Sequence, residues 1–193
     1  MSKPMNINRR GFVGTCGGVA AAALAGGCAT PSGGNMGKVV VVGGGFGGAT
    51  AAKYLRMWSD NRIEVTLIEP NTAFVSCPIS NLVLCGSKQL ADITVPYANL
   101  ASRHGVKVVH DMVAAIDPAQ KTVRLASGSS LPYDRLVLSP GIDFMWDNVK
   151  DLQAASQSGR ILQAWKAGPE TVALRRQLEA MPDGGVYALV IPE

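Results

Sequence analysis

Lys38-Val-Val-Val-Val-Gly-Gly-Gly-Phe-Gly-Gly48 is the stretch from which the fold can be read. Four β-branched residues in a row, Val39 to Val42, match a strand buried on both faces of a parallel sheet. Glycines at 43, 45 and 48 follow at the spacing G-x-G-x-x-G. Gly43 permits a sharp turn out of the strand. Gly45 has no Cβ to hold off a pyrophosphate, and Gly48 lets the next helix sit close on the strand. Residues 49–56 continue as that helix, whose free N–H groups and dipole favour phosphate. Arg62 to Ile68 reads as the next strand and ends at Glu69, whose carboxylate can accept hydrogen bonds from both ribose hydroxyls. Three glycines alone are a weak sign in a chain with 22 of them. Strand, glycines, helix, strand and acid in the right order are a strong one, and they point to a Rossmann-like α/β domain. The bland alternative is a βαβ unit that binds nothing.

Composition narrows the class. Hydrophobic residues make up 47% of the 193-residue chain and charged ones 17%, which excludes a disordered protein. The length allows one domain and part of another. The 18 Lys and Arg outnumber the 14 Asp and Glu, but Lys3, Arg9 and Arg10 fall in the first 29 residues, which hold no acid. That leaves 15 against 14, so nothing argues for nucleic acid. The motif C-x-x-C-H does not occur, so no haem is attached to this chain, and no metal site is expected.

The first 29 residues read as a targeting segment. A basic start leads into a mildly apolar run from Gly11 to Gly27, too short and too rich in glycine to span a membrane. Asn8-Arg-Arg-Gly-Phe-Val13 resembles the twin-arginine export motif, with Gly14 where lysine is common. Export by this route, with cleavage between Gly27 and Ser32, places the protein in the periplasm. An ordinary secretory signal and a lipid anchor at Cys28 are the alternatives. Residues 30–37 form a linker, and the domain proper is expected from Lys38.

Further along, Pro70-Asn-Thr72 breaks the second strand, and residues 73–83 show no clear period around Pro78. A short helix is expected from Ile93 to Arg103 after a turn at Pro96, then a parallel strand from Val106 to His110. Residues 112–117, 121–125 and 130–133 read as an antiparallel meander laid on the main sheet. Arg135 to Ser139 reads as another buried strand, closed by Pro140-Gly141. Residues 170–181 carry apolar side chains at helical spacing, with Arg175, Arg176 and Glu179 facing out. Val186 to Ile191 reads as the first strand of a second nucleotide-binding domain. On this reading the first domain covers residues 38–168 and the second begins in 169–193.

The glycine stretch, Ile63-Glu-Val-Thr-Leu-Ile-Glu-Pro-Asn71, Cys77 with Ser80-Asn81, Val108-Val-His-Asp111, Pro140-Gly-Ile142 and Ala164-Trp-Lys-Ala-Gly168 together resemble a known family. It is the flavoprotein subunit of flavocytochrome c sulfide dehydrogenase, within the FAD/NAD-linked disulfide reductase superfamily. The Cys77 segment and residues 164–168 carry most of that resemblance. It implies FAD, bonded through the sulfur of Cys77 to the 8α-methyl of the flavin. It implies sulfide as substrate and a c-type cytochrome subunit as electron acceptor. The implied cofactor contacts are Gly43, Gly45, Phe46, Gly47, Gly48, Glu69, Pro70, Cys77, Val113, Pro140 and Gly141.

No catalytic residue is assigned, because the redox-active cysteine pair of that family falls beyond residue 193. The chain is therefore expected to be an inactive amino-terminal piece. A structural cysteine or a Cys77–Cys85 disulfide is the alternative for Cys77, and Cys85 is expected as a free, buried thiol. His110 is expected to be structural or exposed. Two other readings stay open: a non-covalent FAD enzyme like sulfide:quinone reductase or type II NADH dehydrogenase, and a non-catalytic exported nucleotide-binding fragment.

Overall fold

The computed structural model describes residues 34–188. The export segment, Cys28 and residues 189–191 of the expected last strand lie outside them. Contacts divide the chain before Met36, and the fold below belongs to the unit that starts there.

The run of valines forms β1 (Gly37–Val42), the centre of the molecule. Helix α1 (Phe46–Trp58) returns the chain to β2 (Ile63–Ile68), which lies parallel to β1 with Val39 opposite Val65. Strands β5 (Lys107–Val109) and β9 (Arg135–Leu138) complete a parallel sheet in the order β5-β2-β1-β9. Because side chains alternate along a strand, β1 feeds two cores. Val39 and Val41 pack with Ala52 of α1, Val65, Leu67, Tyr97 and Val106. Val40 and Val42 pack with Ile68 and, on the opposite face, with Val123 and Leu125. Those last two belong to the meander β6 (Val113–Asp117), β7 (Thr122–Leu125) and β8 (Ser130–Pro132), antiparallel in that order. The sheet is thus a middle layer between helix and meander, as the double-faced valine run requires.

Several sequence expectations change. Pro96 does not precede a helix that includes Ile93. Leu90–Ile93 is a 3-10 turn, Thr94–Pro96 is strand β4, and the helix α3 is Ala98–His104. β4 pairs antiparallel with β3 (Ala73–Val75), and Pro96, which has no N–H and disfavours helix at Val95, keeps the helix from starting before it. Strand β9 is not fully buried: among the described residues it pairs only with β1, and Leu138 is 59% exposed. Gly37, assigned to the linker, is already in β1, opposite Ile63. Residues 186–188 are not strand, for they make no ladder, and Val186 is 93% exposed.

Between β3 and β4 the chain forms α2 (Asn81–Leu84). After β9 it forms α4 (Leu152–Gln157) and α5 (Pro169–Ala180), which packs on α2. Arg175 of α5 is partly buried rather than facing out. Its guanidinium lies by Gly86 and its Nε donates to Glu179 at 2.7 Å.

Candidate functional site

The glycine turn lies at the C-terminal ends of β1, β2 and β9, the edge where open parallel sheets bind ligands. Backbone bonds close it in. Gly43 N–H donates to Ile68 O at 2.9 Å, and Ser139 N–H donates to Val42 O at 2.8 Å. Gly43 has φ +90°, and a Cβ there would overlap the carbonyl of Ser139. A Cβ on Gly48 would overlap the carbonyl of Gly43 and stand 3.3 Å from Val41. Any side chain at 43 or 48 therefore pushes the strand ends or α1 apart. Gly45 differs: among the described residues nothing lies within 4 Å of where its Cβ would be. It is the N-cap of α1, with no side-chain cap and no acid in the first turn. An open backbone at an uncapped helix N-terminus is a cradle for a phosphate. The residues present fit the pyrophosphate of a dinucleotide.

Glu69 is 8% exposed at the end of β2. Its Oε2 accepts from Gly44 N–H at 2.8 Å. Its Oε1 accepts from Asn71 N–H at 3.0 Å and from Asn71 Nδ2 at 2.7 Å. Three of roughly four acceptor sites are thus taken, which leaves about one for a ligand hydroxyl where the sequence promised two. The other side of Gly44 is held by Tyr97, whose hydroxyl donates to Gly44 O at 2.8 Å. The ring stands 2.6 Å from where a Gly44 Cβ would be. Burial, and then the nearby Glu69 charge, push the Tyr97 hydroxyl up to about 12, so it stays a donor at neutral pH. Sequence reasoning missed Tyr97, because one tyrosine after a proline carries no pattern. Only the β3–β4 pairing brings it under the turn.

The remaining expected contacts spread around this edge. Phe46 is 60% exposed and meets Phe74 of β3 edge-on at 4.8 Å. Gly47 faces the Ser139 hydroxyl. Pro70 is exposed beside Glu69, and Pro140 lies against Gly43. Gly141 takes φ +78° with open space around it. Val113 begins β6 and packs in the meander core. The Nδ1 of exposed His110 lies 3.0 Å from Glu69 O. A carbonyl only accepts, so Nδ1 carries the proton there and the ring has a structural partner.

A second group forms around Cys77. Residues 77–80 make a turn with Pro78 at its second position, and both the N–H and the hydroxyl of Ser80 donate to Cys77 O. This sets Cys77 at the entrance of α2. Cys77, Pro78, Asn81 and Leu84 line a cleft of about 400 Å³ together with Ala164, Trp165, Thr171 and Leu174. That volume is in the range of small-molecule sites, about 300–1,000 Å³. Cys77 and Cys85 are both free and exposed, so neither the disulfide nor the buried Cys85 holds. Cys85 instead sits beside Ser87, whose hydroxyl holds the thiol below its ordinary value. Cys77 and residues 164–165, singled out separately in the sequence, are brought to one cleft by the packing of α5 on α2. Trp165 meets Phe144 at 5.4 Å, and Lys166 bridges to Asp143 at 2.6 Å, which lowers the Asp143 carboxyl. A thiol in such a cleft can act as a nucleophile when ionised. Phe74, in contact with Phe46, is three residues before Cys77, so β3 links the two groups.

A family profile described as pyridine nucleotide-disulphide oxidoreductase matches residues 37–167. The flavoprotein chain of sulfide dehydrogenase (flavocytochrome c) from Chlorobaculum thiosulfatiphilum is 70% identical over 46 residues, 24% of this chain and 94% of that sequence. A sulfide-quinone reductase from Aquifex aeolicus (strain VF5) is 34% identical over 53% of this chain and 24% of its own length. The crystal structure of the sulfide:quinone oxidoreductase from Aquifex aeolicus superposes with a TM-score of 0.60 at 28% identity, over 74% of this chain and 31% of that one. The chain thus spans about a quarter to a third of the length of these quinone-linked relatives. Among the described residues no helix is long and apolar enough to cross a membrane.

Proposed function

The chain belongs to the pyridine nucleotide-disulphide oxidoreductase family, and on that footing we propose that it binds FAD as the flavoprotein part of an exported sulfide dehydrogenase. The adenosine diphosphate end lies on the glycine turn. Glu69 holds a ribose hydroxyl, and the open N-terminus of α1 at Gly45 takes the pyrophosphate. The ring end is tethered through Cys77. The observation that carries this reading is the meeting of Cys77 and Trp165 in one cleft, joined through Phe74 and Phe46 to the glycine turn. The 70% likeness to a flavocytochrome c flavoprotein supports the choice of sulfide and of a c-type cytochrome. Sulfide gives up two electrons and a haem accepts one, and a bound flavin supplies that conversion. The residues described here bind and orient. The turn excludes bulk at Gly43 and Gly48, Tyr97 and Glu69 hold Gly44, and Cys77 fixes the ring position. The paired arginines at 9 and 10, outside the described residues, support export to the periplasm.

A second reading has its own support: likeness to sulfide:quinone enzymes at 34% and 28% identity favours a quinone acceptor and a flavin that is not tethered. One preparation separates the two. One portion of the full-length protein is precipitated with acid, and a second, native portion is assayed for sulfide-dependent reduction of cytochrome c and of a soluble quinone. A yellow pellet that turns white on Cys77→Ala, with cytochrome reduction, supports the first reading. A white wild-type pellet with quinone reduction replaces it by the second.

A further inference from the structure

Gly44 is held from both sides by groups that do not bond to one another. Its N–H donates to Glu69 Oε2, its carbonyl accepts from the Tyr97 hydroxyl, and the Tyr97 ring fills the space a side chain would need. Gly44 and Tyr97 are both buried. Tyr97 comes from the far end of the β3–β4 pair, next to Pro96, and its own N–H donates to Thr72 O at 3.1 Å. Thr72 lies three residues beyond Glu69. The tyrosine is thus tied at one end to the loop that follows the acid and at the other to the glycine turn.

We infer that Tyr97 is a positioning residue for dinucleotide binding: it aims the open backbone of Gly45 and the carboxylate of Glu69 at one ligand through the two peptide units that meet at Gly44. This inference rests on the nucleotide reading of the turn given above. The mechanism is geometric. Gly44 N–H belongs to the 43–44 peptide unit and Gly44 C=O to the 44–45 unit, so Glu69 orients the first and Tyr97 the second. The second unit also carries the N–H of Gly45, at the open N-terminus of α1. Removing the Tyr97 hydroxyl leaves a buried carbonyl without its donor, and the 44–45 unit turns to find one. That turn re-aims Gly45 N–H and, through the shared Gly44 Cα, loosens the 43–44 unit that holds Glu69. Tyr97 and Glu69 should therefore act on ligand affinity as one unit, although they share no hydrogen bond.

The test uses the full-length protein carrying Cys77→Ala, so that flavin can be dialysed away, and ADP as the probe in calorimetric titration. Tyr97→Phe keeps the ring and should weaken ADP binding about tenfold, the worth of one buried hydrogen bond. Glu69→Gln should weaken it by a similar factor, and the double variant should be little worse than the weaker single one. A Tyr97→Phe dissociation constant within twofold of the parent, or factors that multiply in the double variant, overturns the inference while the nucleotide reading stands. A parent that does not bind ADP overturns both. Should Tyr97→Phe fail to fold, 3-fluorotyrosine in place of Tyr97 gives a fluorine resonance that should move on adding ADP. A resonance unmoved at saturating ADP overturns the inference.

Discussion

The glycine turn and the Cys77 cleft are built in opposite ways. The turn is assembled from strand ends already fixed in the central sheet, and its parts are buried: Gly44, Gly48, Glu69 and Tyr97 all lie inside. Gly43 and Gly44 are tied by hydrogen bonds and Gly48 is crowded, whereas among the described residues nothing stands within 4 Å of where a Gly45 Cβ would be. The cleft is assembled from two stretches far apart in the chain, residues 77–84 and 164–174, with Cys77 exposed and Trp165 51% exposed. Anchoring a charged phosphate demands fixed donors, whose energy depends on direction. Presenting a thiol to a ring demands only reach and room. The contrast is between a rigid, buried turn and a looser, exposed cleft, which on the proposed function would be the binding end and the reacting end.

Substitutions should divide along that contrast, beginning with the turn. Gly48→Ala puts a methyl into the carbonyl of Gly43 and should cost on the order of 4 kcal/mol in urea unfolding, with loss of bound flavin. A fully folded variant would show that the turn is not rigid. Glu69→Ala removes the acceptor of three hydrogen bonds and should weaken FAD binding about 100-fold in fluorescence titration of the untethered protein. Across the contrast, Trp165→Ala gives up the edge contact with Phe144 and should cost about 1 kcal/mol in the same unfolding assay. Cys77→Ser should change stability by no more than about 0.5 kcal/mol, since its side chain is exposed, yet remove acid-stable yellow colour entirely. A large loss of stability there would make Cys77 a structural residue and erase the contrast.

The smallest effect belongs to Asp143, whose carboxyl Lys166 holds below its ordinary 3.8. A lowered carboxyl stabilises above the unfolded value, and the gain disappears as pH falls through the folded one. Asp143→Asn should thus lower Tm slightly at neutral pH, and the difference should vanish in acid. The pair is exposed, so a large difference at neutral pH would contradict the geometry.

Much of the turn was legible because it is local. Val39 to Val42 demanded two buried faces, and both exist; Gly43 and Gly48 stand where a Cβ cannot; Glu69 ends β2 beside the turn. The meander was legible for the same reason, since alternation and turns lie close together in sequence. Strand β4, the exposed edge at β9 and the irregular residues 186–188 were misread, because pairing depends on a distant partner that no short window contains.

The sequence by itself determined the order of the central strands and of the meander, the glycines that the turn needs, and Glu69 and Cys77 as candidate site side chains. Period, steric bulk and chemical type are properties of neighbouring residues, so a linear reading suffices for them. The tertiary structure alone decided that Tyr97 stands under Gly44, that Glu69 keeps about one acceptor site for a ligand, and that Cys77 and Trp165 share a cleft. The first and third are contacts across tens of residues, and the second needs the distant Gly44 N–H as well as the neighbouring Asn71, so all wait for strand pairing and helix packing to close the chain on itself.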